Sequence, residues 1–497
     1  MNIQADSHTE TDLANYFKPF RENIIGIHST FQSPYGMKKI VYADWIASGR
    51  LYGPIEDKIR NEIGPMVGNT HSESSETGMA MTKAYHKAHR IIKDHVNANK
   101  DDVIITTGFG MTSALAKFQR ILGIKMPEKL MPYCKLPVEE RPVIFVTHME
   151  HHSNHTPWLE SLADVVIIKP GPNLSINPDN LKKEIKKYKD RKFKIGSFSA
   201  CSNVTGMKSP YQELAEIMHL NGGYCFVDFA ASAPYDNIDM HPENPIQKLD
   251  AIFFSPHKFL GGPGSSGVLI FCKSLYKNRI PDHPGGGTVA WTNPWGEHAY
   301  FDDIEIREDG GTPGFLQAIR AALSIKLKER MGVENIKKRE EQLVTRAFER
   351  LLKIHGLHIL ADDVKDRIGV FSFYIENIHH NLIVKILNDR FGIQIRGGCS
   401  CAGTYGHFLL EVDRDTSHKI SEKISHGDLS SKPGWARISL HPTMTDDELD
   451  YVIEALSKMV ENIDTWRKDY NYDLHTGEFS NKKEPISDSC DSWFEME

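Results

Sequence analysis

The sequence predicts an α/β fold: a large, mostly parallel sheet covered by helices, followed by a smaller α+β domain. Three observations carry this. Short apolar runs between residues 103 and 272 (DVIITT, VIFVTH, DVVIIK, FKIGSFSA, GYCFVDF, AIFFS, GVLIF) alternate with helical stretches, as strands buried on both faces do. Five of these runs end in polar side chains, namely Thr106 and Thr107, His148 to His155, Ser202 and Asn203, Asp228, and Ser255 to Lys258. Ligands of such sheets bind at those strand ends. Beyond residue 354 a shorter set of elements begins, with strands IGVFSFYI, IQIRG and WARISL and helices NLIVKILNDRFG and TDDELDYVIEALSKMVENI.

In chain order, residues 1–38 are polar and weakly patterned and read as an N-terminal arm leading into the strand KKIVYAD. Residues 39–354 form the large domain. A helix is expected over 54–64, then a polar loop, NTHSESSETG, and a helix, MAMTKAYHKAHRIIKDHV, whose histidines 86, 89 and 95 are expected to face solvent. The glycine- and proline-rich stretch 281–314 is too long for a simple turn and points to a functional connector. One long helical stretch spans 315–354. The small domain covers 355–466 with an exposed polar insertion at 411–434, and 467–497 reads as a polar, partly disordered tail.

A chain of 497 residues exceeds one ordinary core, which fits a large domain plus a smaller one. The net charge of -7 gives no reason to expect nucleic acid or an anionic membrane surface as partner. The basic stretch LKKEIKKYKDRKFK interleaves acidic residues and reads as the solvated face of a helix. No apolar run approaches the ~20 residues of a membrane span, and the N-terminus lacks a secretory pattern, so a cytoplasmic enzyme is expected. Seven scattered cysteines do not form a disulfide framework.

The chemistry centres on AIFFSPHKFLGGPGSSGVLIF, residues 251–271. Lys258, held between a buried strand and a glycine-rich turn, can lose its proton by desolvation and act as an amine nucleophile toward a carbonyl. Asp228 ends a neighbouring apolar run, and an acidic partner for a ring nitrogen is what a lysine-bound pyridine cofactor requires. Neither G-x-x-x-x-G-K-[ST] nor a G-x-G-x-x-G after the first strand is present. Gly110, Met111 and Thr112 open a helix, whose N-terminus favours an anion, and Ser255 and His257 add donors. A phosphate, a carbonyl and a ring nitrogen together describe pyridoxal 5′-phosphate.

The stretches MEHHSNHTPW, CSNVTG, YCFVDFAAS, FFSPHKFLGGPGSSGVL, GGTPG, IRGGCSCAG and WARISLHPT, in this order, resemble the class V branch of fold-type I pyridoxal-phosphate enzymes. The resemblance is strongest to group II cysteine desulfurases and selenocysteine lyases and runs from about Tyr42 to Ile463. It implies that Lys258 carries the cofactor, His151 stacks on its ring, Asp228 pairs with the ring nitrogen and Asn203 bonds the phenolic oxygen. It implies further that Met111, Thr112, Ser255 and His257 surround the phosphate, with Thr312 reaching the phosphate of a partner in a homodimer. Arg437 matches the arginine that clamps the substrate carboxylate, a role suited to its planar fork, and Arg396 lies beside the cysteine loop. Cys401 aligns with the persulfide-forming cysteine of enzymes that convert L-cysteine to L-alanine and pass sulfur to an acceptor protein. Selenocysteine is a further expected substrate.

Two departures stand out. Ala231 occupies the position where the family has a glutamine near the phenolic oxygen, and Met111 precedes Thr112 in place of a threonine pair. They motivate an alternative, another class V reaction such as transamination, epimerisation or C–S cleavage of a different amino acid. A lower-ranked alternative is a metal-binding module built from His151, His155, Cys399 and Cys401, although C-x-C is a poor structural zinc pattern.

Overall fold

The computed structural model describes residues 12–72, 74–483 and 490–496. Residues 1–11 of the expected arm, and 484–489 and 497 of the expected tail, lie outside the described residues.

The apolar runs form one seven-stranded sheet: β1 (Asp102–Thr107), β2 (Val143–Thr147), β3 (Asp164–Ile168), β4 (Lys194–Ser199), β5 (Tyr224–Asp228), β6 (Ala251–Phe254) and β7 (Gly267–Cys272), in the order β1-β7-β6-β5-β4-β2-β3. Pairings from β3 to β6 are parallel, whereas β7 runs antiparallel to both β6 and β1. The connection between β6 and β7, residues 255–266, contains no α-helix of the kind that carries a parallel crossover, and the chain returns antiparallel.

Alternation along each strand splits its side chains between two cores. Phe145, Val227, Ile252 and Ile270 pack on one face, beneath helices α1 (Glu76–His95) and α3 (Phe315–Met331). Ile144, Phe226, Phe253 and Leu269 pack on the other, with Leu115 and Phe118 of α2 (Met111–Ile121). Within α1, His86 is exposed as expected, but His89 is buried and its Nε2 lies 3.1 Å from Thr106 Oγ1. His89 lies three positions after His86, and at 3.6 residues per turn this rotates its side chain by about 60°, toward the sheet.

The long helical stretch is two helices. Gly332, in the left-handed region at φ 76°, separates α3 from α4 (Val333–Leu351). The packing changes before this break, since Leu327 and Met331 near the end of α3 already belong to the core that α4 joins. Ile336, Leu343, Val344 and Phe348 of α4 pack with the small domain. That domain is an antiparallel sheet of β8 (Leu357–Ile359), β9 (Val370–Ile375), β10 (Arg396–Gly398) and β11 (Trp435–Ser439), in the order β8-β9-β11-β10. Helices α5 (His380–Phe391) and α6 (Asp446–Trp466) cover it. The N-terminal segment joins the same core: Leu13–Glu22 is a helix capped by Asp12, Phe17 and Trp45 are buried, and Val41–Tyr42 pairs with Ile393–Gln394.

The insertion contains one helix, Arg414–Ser425, with no buried residue, tethered where Ser417 Oγ meets His407 Nε2 at 2.9 Å. The tail differs from expectation. Tyr470–Tyr472 and Phe479–Asn481 form a hairpin, Tyr470 is buried, and Arg390 binds Asp469 at 2.6 Å. Three aromatics within a polar composition supply enough apolar surface to dock a hairpin on α5. Among the described residues no helix is long and apolar enough to cross a membrane.

Candidate active site

A cavity of about 370 Å³ opens where the C-terminal ends of β4, β5 and β6 meet the small domain. Lys258 lines it, on a 3₁₀ turn (Pro256–Lys258) that directly follows β6. The turn is pressed between two glycines. A Cβ on Gly262 would lie 1.8 Å from Pro256 O, and one on Gly49 2.0 Å from Phe259 O. Gly49 N–H donates to His257 O at 2.9 Å, tying the N-terminal segment to the turn. Burial lowers the Lys258 amine from 10.5 to about 8, with Asp228 opposing the shift and Arg437 adding to it.

Asp228 ends β5 in the same cavity, one strand from Lys258. Its Oδ1 accepts from Ala230 N–H at 2.8 Å, yet burial pushes the carboxyl up to about 6. His151 lines another wall, with Nδ1 accepting from Ser153 N–H at 3.1 Å, which leaves the proton on Nε2. Burial first, and then the Lys258 charge, hold its pKa down at about 3, so the ring is neutral. Beneath it, buried Glu150 accepts from Thr147 Oγ1, Ser199 Oγ and Asn154 Nδ2, each at 2.6 Å. Glu150 thereby ties the ends of β2 and β4 together. Its place in the stretch MEHHSNHTPW carries no sign of this role.

Met111, Thr112, Ser255 and His257 meet at one end of the cavity, at the start of α2. Met111 N–H donates to Ser255 Oγ at 2.8 Å, and Thr112 Oγ1 lies 2.6 Å from Ser153 Oγ. Burial also lowers His257 to about 4.

The opposite end belongs to the small domain. Arg437 lines the cavity from β11; Nη1 donates to Asn203 O at 3.0 Å and Nη2 to Asp44 Oδ1 at 2.9 Å. Arg396, on β10, is its exposed cross-strand neighbour. Asp44 was not visible as a site residue in the sequence, because its partner lies almost 400 positions away. Asn203 Nδ2 donates to Ser400 O at 2.8 Å, so this amide holds the cysteine loop as well as facing the cavity. Ala231 also lines the wall. Cys401 is exposed and reaches the cavity, whereas Cys399 is half-buried outside its lining.

Thr312 is not brought to this cavity. It lines a neighbouring one of about 280 Å³, together with Thr106, Thr107 and Lys117, and Phe109 borders both. Among the described residues no group of three or more His, Cys, Asp or Glu is placed to hold a metal ion.

The donor set fits a phosphorylated pyridine aldehyde: an amine that is partly neutral, a buried carboxyl, a flat neutral imidazole and a helix N-terminus with hydroxyls. Two buried polar atoms on lining residues, Asn203 Oδ1 and Arg437 Nε, have no protein partner.

The sequence profile of the family described as "Aminotransferase class-V" matches residues 41–452. A probable cysteine desulfurase of Staphylococcus aureus is 27% identical over 429 residues, covering 85% of this chain and 93% of its own. One from Halalkalibacterium halodurans is 29% identical over 370 residues, covering 73% and 84%. Among solved structures, the cysteine desulfurase CsdA of Escherichia coli superposes with a TM-score of 0.69 at 21% identity, covering 90% of this chain and 98% of its own. The apo cysteine desulfurase of Thermococcus onnurineus NA1 gives 0.68 at 22%, covering 85% and 95%. With the profile matched over most of the chain and the fold shared, the chain belongs to the class V aminotransferase family of pyridoxal-phosphate enzymes.

Proposed function

We propose that this enzyme is a cysteine desulfurase, converting L-cysteine to L-alanine and collecting the sulfur as a persulfide on Cys401. One observation carries the reading: Cys401 borders the same cavity as Lys258, Asp228 and Arg437. A thiol, an amine of lowered pKa and a buried guanidinium are what an amino acid with a transferable sulfur needs around it. The relatives' names support it.

Pyridoxal 5′-phosphate, when bound, supplies a carbonyl for an amine and a ring that accepts electron density from the substrate's α-carbon. Lys258 would carry it, with Asp228 at the ring nitrogen, His151 over the ring face, Asn203 near the phenolic oxygen, and Met111, Thr112, Ser255 and His257 around the phosphate. Lys258, partly neutral near pH 8, takes the α-proton of the substrate at Nζ. Arg437, fixed by Asp44, binds the substrate carboxylate, and Arg396 adds a second positive charge at the rim. Cys401 Sγ, as thiolate, attacks the substrate sulfur. An S–S bond forms as the substrate Cβ–S bond breaks, and the three-carbon fragment takes up a proton and leaves as alanine. One enzyme thiol and one cysteine thus become one persulfide and one alanine, with no external oxidant. The exposed position of Cys401 suits onward transfer to an acceptor protein. Thr312, in the adjoining cavity, is reserved for a second subunit of a homodimer.

Loading the protein with cofactor and adding L-cysteine should give alanine and one extra sulfur on the Cys401 peptide by mass spectrometry. Pyruvate or another keto acid, without persulfide, overturns the reading in favour of a different class V reaction. Selenocysteine in place of cysteine tests the second expected substrate.

A further inference from the structure

The loop that presents Cys401 is unusual in its backbone. Ser400 and Cys401 both lie in the left-handed region, at φ 51° and 56°. Neither is glycine, so each carries a steric penalty comparable to what one buried hydrogen bond returns. Something must hold the pair.

Four bonds from outside the loop do so. Asn203 Nδ2 donates to Ser400 O at 2.8 Å, and Trp435 Nε1 donates to Ser400 Oγ at 3.1 Å. The other two come from one residue: His152 N–H donates to Cys401 O at 2.7 Å, and His152 Nε2 accepts from Gly403 N–H at 2.9 Å. His152 therefore grips the loop at the cysteine and two residues beyond it. A Cβ at position 403 would lie 3.1 Å from Nε2, so glycine there admits the close approach. An acceptor Nε2 requires a neutral ring with its proton on Nδ1, and burial lowers the His152 pKa, favouring that form.

We propose that His152 is a positioning residue for the persulfide-forming cysteine, its neutral ring accepting the Gly403 amide and so keeping Cys401 in the left-handed conformation that faces the cavity. His151 and His152 then divide the work of one turn. His151 lies on the Lys258 side, and His152 braces the sulfur acceptor. This rests on the desulfurase reading for its kinetic consequence, though the brace itself is a property of the loop.

The test compares cofactor-loaded wild type, His152→Ala and His152→Gln. Glutamine places Oε1 near the position of Nε2 and can accept the same amide, and both variants keep the main-chain bond to Cys401. His152→Ala should slow persulfide formation on Cys401 in a single turnover about tenfold, with cofactor absorbance and KM within about twofold. Amide hydrogen exchange across 400–405 should be several-fold faster in His152→Ala, and His152→Gln should recover most of both losses. A wild-type rate and wild-type exchange in His152→Ala, or equal impairment of the two variants, overturns the proposal. If wild type forms no persulfide, the desulfurase reading falls instead, and the exchange data alone decide on the brace.

Discussion

Arg437 and Asp44 are paired at 2.9 Å, with the guanidinium almost fully buried and the carboxylate partly exposed. The arginine offered to the substrate is thus already fixed by a partner in the N-terminal segment. Removing Asp44 leaves a buried positive charge uncompensated, which costs roughly 3–5 kcal/mol for a fully buried pair and less here because Asp44 is partly solvated. Asp44→Ala should lower unfolding free energy by about 2 kcal/mol in urea titration and raise KM for the amino acid. Asp44→Asn, which keeps an acceptor, should lose less of both.

Lys258 provides a pH test in protein free of cofactor. Its pKa falls from 10.5 to about 8 through burial. Below pH 8 the amine is charged in both folded and unfolded chains, and the burial penalty is present in full. Between about 8 and 10.5 the unfolded chain binds more protons, so stability should rise with pH by up to roughly 3 kcal/mol. Lys258→Met should abolish that rise in denaturation curves measured across this window. In the loaded enzyme, borohydride should attach the cofactor to the Lys258 peptide and to no other.

Asp228 runs in the opposite sense. Burial raises its pKa from 3.8 to about 6. Its favourable contribution is complete below pH 3.8 and is lost as pH climbs through 6, so at pH 7 the ionised, buried carboxylate burdens the cofactor-free fold. Asp228→Asn should therefore stabilise the cofactor-free protein at pH 7 by up to about 2–3 kcal/mol while activity drops at least about a hundredfold. Equal or lower stability in the variant, measured by chemical denaturation, refutes this account.

Gly262 tests the lysine turn without touching a polar group. A Cβ there meets Pro256 O at 1.8 Å, so Gly262→Ala must displace backbone next to Lys258. A loss of about 3 kcal/mol is expected, as for overpacking in a rigid site, together with a shifted cofactor absorbance band. Gly286→Ala, which meets nothing within 4 Å, is the control.

The sheet was legible because each strand is a short apolar run, and the strand ends led to Lys258, Asp228, Asn203 and His151. The break at Gly332 was hidden, since helical periodicity continues on both sides and only the left-handed φ marks it. Asp44 and Glu150 escaped assignment because their roles are defined by partners: Arg437, 393 positions distant, and Ser199, 49 positions distant. The tail hairpin was masked by composition, three aromatics among many polar residues. The inward turn of His89 follows its place four positions after Tyr85 and three before Ile92, on the buried face of its helix, and residue type alone points the other way.

The two cores meeting at the cavity have a consequence for how such an enzyme changes over time. Lys258, Asp228 and His151 hang from the large sheet and Arg437 and Arg396 from the small one, while the Cys401 loop is bonded to both, through His152 and Asn203 on one side and Trp435 on the other. The lysine, aspartate and histidine stand on one scaffold, and the arginines proposed to choose the substrate stand on another. Substitutions in the second can redirect the chemistry while the first remains as it is. Conversely, a slight reseating of one core on the other retunes every distance between amine and thiol at once.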